Sequence, residues 1–306
     1  MIDHSSLPIA EGTARMGDGT LLRTLHWPAD GDPWALALIV HGLAEHAGRY
    51  STVAAALTAD RIDVHGYDLR GFGRSAGRRG HVDSWRVHHD DLEARITALR
   101  SEQPGLPLIV WGHSLGGLIA AGYVISPVAR PLPDLLVLSS PAIAVELPAW
   151  KRALVAGMAN VLPHMRVSNG RLGDGLSHDP AIGEAYEGDP LLVPASTARF
   201  GYEGLREQRR VRDALAELPA MPIPTYVFHG SDDRIVPVSA SEPFQSMGNT
   251  TRHVHAGLRH ETHHEPEHRV VLGEAVAWID AHRIELEAGH ATVIDAGAAF
   301  GAAAEA

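Results

Sequence analysis

Gly112-His113-Ser114-Leu115-Gly116 is a G-x-S-x-G sequence. A serine hydroxyl attacks poorly until a base takes its proton, and that base must be held by a third group. So short a motif gains weight from its setting. The apolar run 108–111 precedes it and the small, apolar stretch 115–123 follows. A strand turning sharply into a helix exposes the hydroxyl at the C-terminal edge of a sheet. It leaves no room for side chains two residues either side, which explains the glycines. The helix start also offers backbone N–H groups where negative charge would develop. The plainer role for Ser114 is a helix cap.

In this class the acid and then the base follow the serine along the chain. The strand predicted at 225–228 ends in His229-Gly230-Ser231-Asp232-Asp233-Arg234. An aspartate there shares the sheet edge with the elbow, and spacing alone does not choose between Asp232 and Asp233. Histidines crowd the following stretch: His253, His255, His260, His263, His264 and His268. His260 lies in a loop between strand and helix from which it can reach Ser114; His263 or His264 is the fallback. His260-Glu261-Thr262-His263-His264 also satisfies H-E-x-x-H, a zinc motif. That chemistry needs both histidines on one face of a helix. Gly257 before the motif and Pro266 after it predict a loop and a helix start instead. No metal or organic cofactor is expected.

These residues need a frame. Strands are predicted at 20–27, 34–40, 62–67, 108–111, 135–138, 225–228 and 252–255. Helices are predicted at 51–60, 84–100, 115–123 and after Pro266. Apolar strands alternating with helices predict an α/β fold with a mostly parallel sheet covered on both faces. The rhythm breaks at 142. Residues 147–166 are amphipathic and interrupted by proline, and the next 50 residues carry turn signals with short helical fragments. The expected organisation is a core of 1–141 and 221–286, a helical insertion at 142–220, and an Ala/Gly-rich tail at 287–306.

The 306 residues include no cysteine, so disulfides, thiolate metal clusters and a cysteine nucleophile are excluded. Acidic residues outnumber basic ones 37 to 26, which argues against a nucleic-acid partner. GFGRSAGRRG at 71–80 has the glycines of a phosphate loop but lacks the Gly-Lys-Ser/Thr ending. No apolar stretch approaches the ~18 residues of a membrane span. The first ten residues have neither a basic nor an apolar signal region. A cytoplasmic protein is expected, possible membrane contact being peripheral.

Several segments together resemble the monoacylglycerol lipase and lysophospholipase branch of the serine α/β-hydrolases. They are HGLAEHAGRY at 41–50, YDLRGFGRSAGRRGHVDSW at 67–85, GHSLGG at 112–117, LSHDPAIGEAYEGDPL at 176–191, HGSDDRIV at 229–236 and GLRHETHHEPEHRVVL at 257–272. The elbow is common to the superfamily; the opening and closing segments are more specific. The resemblance implies the α/β-hydrolase fold with a helical cap, Ser114 as nucleophile, Asp233 as acid and His260 as base. It implies an oxyanion hole from the Leu43 and Leu115 amides. Arg259 departs from the aromatic residue often found before the base. The implied activity is hydrolysis of a monoacylglycerol or related single-chain lipid ester through an acyl-enzyme. Lysophospholipids and short-chain esters are the alternative substrates, and a catalytically inactive binding protein is the alternative class. An amphipathic cap suits an acyl chain, with Leu147, Trp150, Leu154, Met158, Val161 and Leu162 as candidate wall residues. The same helix could touch a membrane or micelle. His41 and His113 are expected to be structural, and Asp174, Asp179 and Asp189 to serve turns or helix caps.

Overall fold

A computed structural model describes residues 9–145 and 147–288. All but the first two residues of the expected tail lie outside this range, as does most of the expected leaderless start. The first half runs β1 (Ala10–Arg15), β2 (Leu21–Trp27), β3 (Ala35–Val40), α1 (Ser51–Ala59), β4 (Ile62–Tyr67), α2 (Arg86–Glu102), β5 (Leu108–His113), α3 (Leu115–Val124) and β6 (Leu135–Ser139). An insertion follows: α4 (Ala149–Val161), β7 (Arg166–Ser168), α5 (Gly173–Leu176), α6 (Pro180–Glu187), β8 (Ala195–Thr197) and α7 (Ala198–Glu217). The frame then closes with β9 (Ala220–Gly230), β10 (Gly248–His255) and α8 (His268–Ala281).

Eight strands form one sheet in the order β1-β2-β4-β3-β5-β6-β9-β10. β1, β2 and β4 pair antiparallel; every pairing from β4 to β10 is parallel. This is the α/β-hydrolase architecture. Successive side chains of a strand point to opposite faces, and β3 shows what that does here. Leu36, Leu38 and Val40 pack with Leu92 and Ile96 of α2 and Leu118 of α3. Ala35, Ala37 and Ile39 pack with Val53 and Leu57 of α1 and Val271 and Ile279 of α8. Both faces are sealed, so the strand reads as apolar throughout. Each large aliphatic side chain buried this way contributes about 1.5–3 kcal/mol.

The structure corrects the sequence reading in places. α7 is one 20-residue helix, not short fragments. Its buried face carries Glu203, Glu207 and Gln208 beside Phe200, Val211 and Leu215, so polar side chains broke the apolar period. The helix expected over 147–166 stops at Val161, and β7 follows it. Pro266 precedes α8 by two residues, after a 3-10 turn at Thr262–His264. The predicted strand at 225–228 extends back to Ala220 through Pro222 and Pro224. β1, the edge strand, was not anticipated; its residues are mostly exposed and carry little hydrophobic signal.

Candidate active site

β5 ends at His113 and α3 begins at Leu115, leaving Ser114 as the single residue of the turn, with φ 50° and ψ −113°. A non-glycine residue held there stores about 1–3 kcal/mol of strain. Three backbone bonds hold it: Ser114 N–H donates to the Ser139 carbonyl at 2.9 Å, and its own carbonyl accepts from Ala142 N–H at 2.9 Å and Leu118 N–H at 3.1 Å. The flanking glycines are sterically required. A Cβ on Gly116 would stand 1.9 Å from the Val40 carbonyl oxygen, and one on Gly112 would stand 2.6 Å from that of Gly116.

His260 and Ser114 line one cavity of about 560 Å³. His260 Nδ1 lies 2.7 Å from Asp233 Oδ2. An ionised carboxylate only accepts, so Nδ1 carries the hydrogen and Nε2 is left as the basic atom. Asp233 is fixed in turn: its Oδ1 accepts from the Ile235 and Val236 N–H groups at 2.8 and 2.9 Å, and its Oδ2 from His229 Nε2 at 3.0 Å. Burial alone would raise the Asp233 pKa. The His260 imidazole and these donors outweigh it and hold the carboxyl well below its usual range. Asp232 instead points to Arg234 at 3.4 Å on the surface. His263 stacks on Tyr50 and His264 Nδ1 lies 2.7 Å from Glu261 Oε2; neither is bonded to Asp233.

The H-E-x-x-H residues therefore face different partners. His260 turns to Asp233, while His264 is spanned between Glu261 and the Arg49 carbonyl. The segment is a loop with a three-residue 3-10 turn and not the helix a zinc motif requires.

Leu43 and Leu115 line the same cavity. Among the described residues neither amide has a hydrogen-bond acceptor, whereas the neighbouring Gly42 N–H donates to Glu45 Oε1. His41 orients that loop. Its Nε2 accepts from Leu69 N–H at 2.8 Å, so its Nδ1 donates to the Gly42 carbonyl at 2.8 Å. His113 is buried, and burial and the nearby His260 lower its pKa to about 4, which keeps it neutral. Its Nδ1 lies 3.1 Å from Ser139 Oγ.

A buried ionic network ties the first loop to the loop that bears His260. Glu45 accepts from Gly42 N–H, Tyr50 Oη and Arg49 Nε, and Arg49 Nη2 donates to Glu261. The signature residues Glu45, Arg49 and Tyr50 thus join the two loops; His46 reaches the insertion, its Nε2 2.8 Å from Asp189 Oδ2.

The insertion supplies the outer wall, but with residues other than those expected. None of Leu147, Trp150, Leu154, Met158, Val161 and Leu162 lines the cavity. Trp150, Leu154, Val161 and Leu162 are exposed. The wall is built from Leu172, Asp174, Leu176 and Tyr186, with Val145, Ile235 and Val236 closing the apolar side. Leu176 and Tyr186 fall in a segment that carries the family resemblance, a signal that pointed to them. Asp179 caps α6 through the Ala181 N–H as expected; Asp174, expected to serve a turn, lines the cavity. Arg259 donates to the Asp174 and Ser177 carbonyls at 3.0 and 2.7 Å, fastening the His260 loop to α5.

A family model described as serine aminopeptidase, S33, matches residues 31–267. A monoacylglycerol lipase of Mycolicibacterium smegmatis is 34% identical over 265 residues, covering 84% of this chain and 91% of that protein. A monoglyceride lipase of Mus musculus is 31% identical over 283 residues, covering 87% and 89%. The crystal structure of a Paleococcus ferrophilus monoacylglycerol lipase superposes with a TM-score of 0.74 at 26% identity, covering 89% of this chain and 99% of that one.

Proposed function

The chain belongs to the serine aminopeptidase S33 family of α/β-hydrolases, and we propose that it is a serine carboxylester hydrolase acting on monoacylglycerols or related single-chain lipid esters. The observation that carries this reading is that Ser114 and His260 line one largely apolar cavity, with Asp233 bonded to His260 from behind. His260 Nε2 takes the Ser114 proton as Oγ attacks the ester carbonyl. The Leu43 and Leu115 amides receive the developing oxyanion. His260 then protonates the departing glycerol oxygen, leaving an acyl-enzyme on Ser114. Water deprotonated by His260 attacks that ester, and collapse of the second oxyanion frees the fatty acid and restores Ser114. Asp233 holds the imidazole in one tautomer throughout.

The segment 142–220 is read as a cap. Its exposed Trp150, Leu154, Val161 and Leu162 suit transient contact with a membrane or micelle, from which a single-chain lipid would be drawn. Among the described residues no helix is long and apolar enough to cross a bilayer. The reading places the chain in the cytoplasm, peripheral to the membrane.

Arg171 and Arg234 among the lining residues favour a second reading, a lysophospholipid with its anionic head group. A hydrolysis panel of monoacylglycerols, lysophospholipids, short p-nitrophenyl esters and an aminoacyl amide decides. The proposal expects kcat/KM to be highest for monoacylglycerols and to rise with acyl length. Preference for the shortest esters or the amide would overturn it.

A further inference from the structure

Outside the cavity, β10 and α8 bring three metal-binding side chains together. Thr251, His253 and His255 alternate along β10 and share one face of this edge strand. Glu274 and Trp278 are one helical turn apart on α8 and face that row: Trp278 Nε1 donates to Thr251 Oγ1 at 3.1 Å. Glu274 Oε2 lies 2.8 Å from His253 Nδ1 and 3.9 Å from His255 Nε2. Neither approach has hydrogen-bond geometry. Glu274 Oε2 and His255 Nε2 are both sealed from solvent without a hydrogen-bond partner among the described residues. His255 is 8% exposed, so an idle ring nitrogen here is a cost that something should offset.

We propose that His253, His255 and Glu274 form a binding site for a divalent transition-metal ion of the zinc class, clipping α8 to the edge strand β10. The donor set, two imidazole nitrogens and one carboxylate oxygen, is the chemistry such ions take, with water completing a tetrahedron. Two donors each ~2.1 Å from tetrahedral zinc stand roughly 3.4 Å apart. The separations of 2.8 and 3.9 Å bracket that value, and all three donor atoms lie within 4.8 Å of one another. A second cluster, His26, Asp63 and His65, makes a useful contrast. There Asp63 already accepts from both histidines, Gln103 and the Ala29 N–H, so its oxygens are occupied. The rings are stacked in both clusters, within 2° for His26 and His65 and within 19° for His253 and His255, so the difference lies in the unpartnered donor atoms of the latter cluster.

The loop bearing His260 springs from β10 and ends in α8, so the ion would pin both stems of that loop without touching the reacting atoms. The test uses the full chain, stripped with a chelator and titrated with Zn²⁺ and then Co²⁺ alone. Expected are one equivalent of bound metal, the visible absorption of tetrahedral Co²⁺ and a Tm higher by several degrees. Glu274→Gln and His255→Ala should each weaken binding by more than the ~10–100-fold that an outer-shell partner costs, and abolish the Tm rise. His253→Ala, at a more exposed position, carries the test if a buried variant fails to fold. Asp63→Asn should leave binding unchanged, and ester turnover should persist in the stripped protein. Absence of a one-equivalent site in the parent chain, or binding and a Tm rise that survive in both Glu274→Gln and His253→Ala, would overturn the proposal.

Discussion

Arg49 Nη2 donates to both carboxylate oxygens of Glu261, at 2.8 and 2.7 Å, across a separation of 212 residues. One partner sits on the loop that presents the Leu43 amide, the other beside His260. Burial alone would push the Glu261 carboxyl up; Arg49 and His264 hold it well below the usual carboxylate range. Breaking a buried pair from one side strands a charge, at about 3–5 kcal/mol. Arg49→Met should therefore lower the urea midpoint sharply and reduce kcat, because the two loops lose their shared anchor. A stability change under ~1 kcal/mol would show that the pair behaves like an exposed one.

Ser114→Ala should abolish ester turnover and leave the fold intact, since the elbow is held by backbone bonds and glycines. Gly116→Ala should do the reverse of a silent change. Its Cβ would collide with the Val40 carbonyl, and forced insertions of this kind cost about 1–3 kcal/mol or more. Turnover near that of the parent in purified Ser114→Ala would remove Ser114 from the mechanism.

Asp233→Asn should lower kcat by roughly 10⁴, the loss seen where an orienting acid is made an amide. Asp232, paired only with Arg234 at the surface, should tolerate the same change within a few fold. Steady-state kinetics on both variants would reverse the assignment if Asp232→Asn were the crippled one.

Dialysis against a chelator should leave turnover unchanged, because His260 and His264 face separate partners. His260→Ala should stop acylation. His264→Ala should act through Glu261 and Arg49, costing stability more than chemistry. Activity lost on chelation and restored by zinc would favour the H-E-x-x-H reading.

Acid should destabilise the fold well before the carboxylates titrate. Burial lowers His88 to about 3 and His113 to about 4 from 6.5, and lowers His41 and His263 as well. Between those values and 6.5 the unfolded chain binds more protons than the native one. Stability is thus fully present above about pH 6.5 and falls as pH drops, by ~1.4 kcal/mol per unit for each such imidazole. His88 sits against Trp85 and Phe200 with neither ring nitrogen hydrogen-bonded among the described residues. His88→Leu should raise stability and flatten the pH slope by ~1.4 kcal/mol per unit between about pH 6 and 4. Urea midpoints across that range read the slope directly; an unchanged slope would remove His88 from the account.

The central strands β3, β4, β5 and β6 were legible because they are buried on both faces, whereas the exposed edge strand β1 was not. Ser114 was legible because strand, elbow and helix each left a mark in the sequence. The choice of Asp233 over Asp232 came from the resemblance alone, because adjacent residues share a spacing and only the turn geometry separates them. α7 was obscured because Glu203, Glu207 and Gln208 are buried by their tertiary partners: Glu203 accepts from Trp85 N–H, Glu207 Oε1 lies 3.3 Å from His89 Nε2, and Gln208 donates to the Ala142 carbonyl. The cavity wall was misplaced for a related reason. Apolar periodicity in α4 marks an amphipathic helix, yet says nothing about which way that helix turns its apolar side.

The fastening of α5 to the His260 loop has a consequence for traffic through the site. Glu261 N–H donates to the Leu176 carbonyl at 2.8 Å, and Arg259 grips the carbonyls of Asp174 and Ser177. Leu176 is also part of the cavity wall. That wall and the His260 loop are therefore one mechanical body: an entrance widened by swinging α5 outward would drag His260 away from Ser114. A doorway that opens while the reacting groups stay registered must hinge on the α4 side, where no such tether to the His260 loop is formed among the described residues.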